Sequence, residues 1–130
     1  MSTEANKILV RRLIEEVWNT GNYDPLDALA APAFAESTKR LNQMTRTAFP
    51  DCIDTIEEMI AEGDKVVVRW IARGTHLGEC IAPWGSIPPT SKPVSFSAIH
   101  IFRIADSPIV KRWAQVDTLG ILQQIDALLL

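Results

Sequence analysis

Residues 52–75 read CIDTIEEMIAEGDKVVVRWIARGT, and the fold class turns on this stretch. Two runs rich in β-branched and apolar residues flank EGD at positions 62–64. A short Gly-containing break between two such runs predicts a β-hairpin. In the second run Arg69 and Arg73 share one face of the strand, which is read as the wetter one. Strand alternation then puts Val66, Val68, Trp70 and Ala72 on the opposite, inward face.

Moving outward toward the C-terminus, residues 82–93, APWGSIPPTSKP, are predicted to be a loop, because proline cannot sustain a central ladder. A second hairpin follows: VSFSAIHIFRI at 94–104, the turn ADSP at 105–108, and IVKRWAQV at 109–116. The chain then changes period, and TLGILQQIDALL at 118–129 reads as a helix. Toward the N-terminus, Ile8, Leu9, Leu13, Ile14, Val17 and Trp18 recur at helical spacing. Ser2 or Thr3 is the candidate cap of that helix and Gly21 its stop. Residues 22–32 predict a short second helix with Asp24 as N-cap and Pro25 in its first position. A third is expected from Ser37 to about Ala48. Three helices, four strands and a last helix make an α+β fold with an antiparallel sheet.

The face assignment points to a site. On the second hairpin, Arg103 and Arg112 are taken to mark the wet side. Phe96, Ala98, His100, Phe102 and Ile104 then point inward from one strand, and Trp113, Gln115 and Asp117 from the next. Three polar groups, His100, Gln115 and Asp117, are thus expected on an otherwise apolar and aromatic face. Left unpaired in a core, each costs about 1–3 kcal/mol. They either satisfy one another or line a cavity, and an apolar cavity with a few convergent polar groups is what a small-molecule site looks like. The outer face still carries Val67, Ile71, Ile99 and Ile101, which predicts a homodimer through the sheet's outer side.

Bulk properties narrow the class. With 130 residues and a formal net charge of −3, the chain is expected to form one domain without a nucleic-acid footprint. Cys52 and Cys80 are isolated, and the polar start MSTEANK lacks the apolar run of a secretory signal. No apolar run approaches membrane-spanning length. A soluble cytoplasmic protein without a membrane partner is expected. Zinc spacings, phosphate loops and nucleophile elbows are absent from the sequence, and no cofactor is expected.

The chain resembles the SnoaL-like polyketide cyclases of the nuclear transport factor 2-like superfamily. The matching segments are EEVWNTGNYDPLDAL (15–29), AFPD (48–51), AEGDKVVVRWIARGTHLGE (61–79), IPPTSKPV (87–94), IHIFRIAD (99–106) and KRWAQVDTLGILQQ (111–124). They run in the family's order over nearly the whole chain. The resemblance implies a cone-shaped, curved antiparallel sheet packed against N-terminal helices. It also implies cofactor-free chemistry on an apolar or aromatic small molecule.

In that resemblance Asp117 takes the position of the family's general acid/base, and the implied reaction is an intramolecular aldol-type ring closure. His100 and Gln115 are the candidate partners of the charged oxygen. Trp18, Trp70, His76, Phe102 and Trp113 are the candidate pocket walls. Asp117 is equally well placed to cap the last helix. His100 is equally readable as a hydrogen-bonded core residue, and His76 as a structural one. A cofactor-independent hydroxylase or isomerase is the second expectation. A non-catalytic binding or dimerisation module is the third, because the segment after APAF (31–34) runs almost directly into a helix and Trp84 could fill the space left.

Overall fold

The computed structural model describes residues 2–128. Helix α1 (Thr3–Arg12) starts at Ser2, whose side-chain oxygen accepts from the Ala5 N–H. It continues without a break into a π-helical turn, Leu13–Trp18, in which the Asn19 N–H reaches back to the Ile14 carbonyl. Helices α2 (Leu26–Leu29) and α3 (Pro32–Ala48) follow. Six strands come next: β1 (Ile53–Glu62), β2 (Lys65–Thr75), β3 (Cys80–Ala82), β4 (Gly85–Ile87), β5 (Pro93–Ile104) and β6 (Ile109–Val116). Helix α4 (Thr118–Gln124) closes the chain.

The two long hairpins form one antiparallel sheet, as the turn signals predicted, and the β2–β5 pairing joins them in the order β1-β2-β5-β6. The α+β class is therefore correct. Three details differ. Residues 82–93 are not all loop: β3 and β4 make a small separate hairpin, and the prolines lie outside its strands. Helix α3 begins five residues earlier than expected, with Pro32 in its first turn, where a missing N–H costs nothing. Pro25 is the N-cap of α2, and Asp24 makes no capping bond to it.

A bulge between Ile56 and Glu58 bends β1 and changes which residues face inward. Asp54 and Ile56 point in before it, and Met59 and Ala61 after it, opposite Val68 and Val66. The curved sheet is packed by α1 on β1 and β2, by α3 on β6 and by α4 on β5. Val10, Val17, Leu26, Leu29, Val66, Val68 and Ile109 are fully buried between these layers. Among the described residues no helix is long and apolar enough to cross a membrane.

Two asparagines, the buried Asn42 and the half-buried Asn19, fix the helix end that carries Trp18. The Asn42 Nδ2 donates to the Trp18 carbonyl at 3.0 Å, and Tyr23 donates its hydroxyl to Asn42 Oδ1 at 3.0 Å. Asn19 reaches the other way, to β1. Its Nδ2 donates to the Asp54 carbonyl at 2.9 Å and its Oδ1 accepts the Asp54 N–H at 2.8 Å. The side chain thus pairs with the β1 backbone as a neighbouring strand would.

Candidate active site

Between α3, the π-helical turn and the inner face of the sheet lies a cavity of about 200 Å³. Trp18, Phe49, Trp70, Phe96, Ala98 and Ala114 supply its apolar walls. Asp54, His100 and Arg112 are the ionisable groups on it. Helix α4 contributes Ile121 at one side, held by Gln124, which bonds both the N–H and the carbonyl of Ser95 at 2.8 Å.

Asp54 is 6 % exposed. Its only side-chain partner among the described residues is the Cys52 thiol, 3.9 Å from Oδ1. A carboxylate so placed loses its hydration without gaining a cation, so burial pushes its pKa from 3.8 to about 7. Burial, and then the charge of Asp54, push the Cys52 thiol up to about 12, so it stays protonated. Both backbone groups of Asp54 are clamped by Asn19. An Asn19→Ala variant is expected to lose about 2 kcal/mol of stability, the worth of two such hydrogen bonds. Urea unfolding checks this; an unchanged midpoint would show the clamp to be idle.

His100 is 8 % exposed, and neither ring nitrogen has a partner. Its ring stands edge-on to Trp70, with centroids 4.2 Å apart. Burial, helped by the nearby Arg112 charge, lowers its pKa to about 3. The imidazole is therefore neutral at physiological pH, with one N–H to donate and one nitrogen to accept.

Arg112 is partly buried and stacked over the rings of Phe34 and Phe102, at 4.6 and 5.6 Å from its Cζ. Its Nη2 donates to the Thr38 hydroxyl at 3.0 Å, and its buried Nε has no partner. Burial lowers its pKa to about 10, which leaves it a cation at neutral pH.

These positions correct the assignment of β6. Its inward residues are Arg112, Ala114 and Val116, opposite Phe102, His100 and Ala98 of β5. Trp113 and Gln115 lie on the outer face, opposite Ile101 and Ile99, and Trp113 is 41 % exposed there beneath the Lys111 ammonium. The physical reason is that Arg112 is not a solvent marker. Its guanidinium finds two aromatic faces and a hydroxyl inside, and its parity carries the rest of the strand with it.

Asp117 is exposed and does not line the cavity, although its neighbour Val116 does. Its Oδ1 accepts the Gly120 N–H at 2.9 Å, so it caps α4. The expected group of His100, Gln115 and Asp117 is thus not assembled.

Trp18 and Trp70 line the cavity as expected. Phe102 lies one layer deeper, behind His100, on a small void of about 10 Å³. His76 is fully buried but outside the cavity wall. Its Nδ1 accepts the Thr90 N–H at 3.2 Å and meets the Thr90 hydroxyl at 2.9 Å, tying down the loop before β5, and its ring backs onto Phe49. Trp84, in the β3–β4 hairpin, is 47 % exposed and leaves the cavity unfilled.

Two residues of the site, Asp54 and Arg112, were missed by sequence reading. For Asp54 a signal existed: it shares strand parity with Ile56 in CIDTI. The bulge downstream hides that phase from simple alternation. For Arg112 there was none, because an isolated arginine in a strand is ordinarily a wet residue.

A curved antiparallel sheet and helices enclose a mostly apolar cavity with a few convergent ionisable groups, the form that small-molecule sites take. The sequence profile of the SnoaL-like polyketide cyclase family matches residues 8–125, and the chain belongs to that family. The fold is accordingly of the nuclear transport factor 2-like type. Among solved structures, TsrD from Streptomyces laurentii is similar with a TM-score of 0.86 at 23 % identity, covering 98 % of this chain and 99 % of that one. AclR from Streptomyces galilaeus, a proposed hydroxylase, has a TM-score of 0.83 at 22 % identity over 98 % and 84 % of the two chains. IdmH from Streptomyces antibioticus, a proposed polyketide cyclase, has 0.76 at 27 % identity over 92 % and 97 %. No curated protein matches the chain.

Proposed function

We propose that the protein is a cofactor-independent acid–base enzyme of the cyclase type, with Asp54 rather than Asp117 as its proton carrier. The observation that carries this is the Asp54 carboxyl, buried in the cavity wall and poised near neutrality. Membership of a polyketide cyclase family supports a ring-closing role.

The substrate has a C–H flanked by two carbonyls, acidic enough to need no stronger base. Asp54 as carboxylate takes that proton. The enolate oxygen accepts the His100 N–H, and the positive field of Arg112 favours the charge gathered there. The enolate carbon attacks a second carbonyl of the same molecule, held near it by the aromatic walls. Asp54, now the acid, returns its proton to the new alkoxide. Base and acid are the same group used twice, for which a pKa near the working pH is the best compromise.

The cavity is below the roughly 300 Å³ at which pockets for drug-sized ligands begin. This favours a substrate of one or two rings. It also supports a second outcome in the same site, isomerisation, in which Asp54 returns the proton to another carbon. One- and two-ring 1,3-dicarbonyl esters, incubated with the protein in deuterated water, test both. Proton NMR is expected to show deuterium entering the acidic position faster than in buffer, with cyclised or isomerised product. Exchange no faster than buffer would contradict the proposal.

A homodimer through the outer face of the sheet belongs to the same proposal. Trp113 and Ile60 join Val67, Ile71, Ile99 and Ile101 on that face, and Ile99 is 48 % exposed. The Arg69–Glu58 pair at 3.5 Å gives the patch both charge signs, as a self-complementary contact requires. Sedimentation is expected to find dimers for the unaltered protein and monomers for Ile99→Asp. A monomer at the outset would remove this element.

A further inference from the structure

Arg112 is a cation without an anion. None of the ion pairs among the described residues includes it. Its hydrogen-bond partner is a neutral hydroxyl, and its buried Nε has none. The carboxyl on the same cavity, Asp54, is not within ion-pair reach, and its pKa is raised, the opposite of what a nearby guanidinium produces. His100, nine-tenths buried on the cavity wall, adds two more unpartnered polar atoms. Leaving a buried donor or a charge unpaired is costly unless something supplies the missing partner. The remaining wall is almost wholly apolar, so nothing else on it can do so.

Charge supports the same conclusion. While Asp54 is protonated and His100 neutral, the cavity holds one net positive charge, that of Arg112. The guanidinium is fixed by its two aromatic faces and Thr38, which pre-organises its free N–H groups. A planar fork of that kind matches a carboxylate better than it matches a neutral carbonyl.

We propose that the ligand of this cavity is a small monocarboxylic acid: its carboxylate docks on the free N–H groups of Arg112, and its one- or two-ring apolar body lies against Trp18, Trp70 and Phe96. This rests on the cavity being the reaction site, as the acid–base proposal has it, and adds the class of substrate. Arg112 acts as an anchor, His100 donates at the reacting oxygen, and Asp54 moves the proton.

The probes are naphthoate and its neutral isostere naphthamide, titrated by calorimetry at mildly acidic pH into the unaltered protein, Arg112→Lys and Arg112→Met. Naphthoate is expected to bind at least about tenfold more tightly than the amide, the usual worth of a charge-assisted hydrogen bond. The preference should shrink in Arg112→Lys and vanish in Arg112→Met. Equal binding of acid and amide, binding of neither, or a preference surviving in Arg112→Met would overturn the proposal. If Arg112→Met fails to fold, the Arg112 Nε–H resonance of the unaltered protein decides. Naphthoate is expected to shift it and naphthamide to leave it; a resonance that naphthoate does not move rejects the anchor. Deuterium exchange on neutral dicarbonyl esters tests Asp54 separately, so either proposal can fail while the other stands.

Discussion

Replacing Asp54 with Asn is expected to lower kcat about a thousandfold while leaving the fold intact. Positioned general acid–base groups contribute about 10²–10⁴ in rate. Asn keeps the shape and the clamp from Asn19, because that clamp uses only the backbone of residue 54. It removes the one group in the cavity wall able to take and return a proton near neutrality. The matching control is Asp117→Asn. Asn is as good an N-cap as Asp, so the bond from Gly120 survives and kcat is expected to stay within about twofold. Steady-state kinetics on whichever dicarbonyl ester exchanges fastest compares the two. The reverse ranking, with Asp117→Asn inactive and Asp54→Asn active, would return the acid/base role to Asp117, to which the family resemblance assigns it.

The same substitution is expected to stabilise the protein at alkaline pH. The folded-state pKa of Asp54 lies above its ordinary value, so the folded chain holds this proton more tightly than the unfolded chain does. The stability linked to that proton is fully present below about pH 4 and is lost as pH rises through about 7. Above that, the unaltered protein carries a desolvated carboxylate facing the Cys52 thiol, and no cation pairs with it. Moving the pKa from 3.8 to about 7 corresponds to about 4 kcal/mol as an upper bound. Asn carries no such penalty. Asp54→Asn should therefore exceed the unaltered protein by about 2–4 kcal/mol in urea unfolding above neutrality, with the gap closing toward pH 4. A variant less stable than its parent at alkaline pH would mean that Asp54 is paired and ionised. A gain would tie activity and instability to one residue, as is common where a functional group is held in an unfavourable setting.

The fold was largely legible because it is written in short-range patterns. EGD between two apolar runs, and ADSP between two others, mark the hairpin turns, and the period change after Val116 marks α4. The β3–β4 hairpin was not legible, since three-residue strands between prolines carry no periodic signal. The site divides in the same way. His100, Trp18 and Trp70 followed from the alternation of β5 and β2 and the periodicity of the first helix. Trp113, Gln115 and Asp117 were misplaced by one inference, that Arg112 faces water. A strand has two faces, so one wrong parity turns every side chain over. What decided the parity of β6 is tertiary: the rings of Phe34 and Phe102 and the hydroxyl of Thr38, which sit on other elements. The parity of Asp54 with Ile56 was open to reading in CIDTI, but the bulge after Ile56 breaks that phase, and the clamp that holds Asp54 comes from Asn19, 35 positions away in sequence.

The most direct test of the central claim is a carbon-detected NMR titration of the Asp54 carboxyl, assigned by the resonance missing in Asp54→Asn. A midpoint near 7 is the predicted result, and would mean that the cavity holds a carboxyl able both to take and to give a proton at physiological pH. A midpoint at or below about 4, the value for a carboxylate in water, would contradict it. Asp54 would then be solvated or paired, and the cavity would have no poised base.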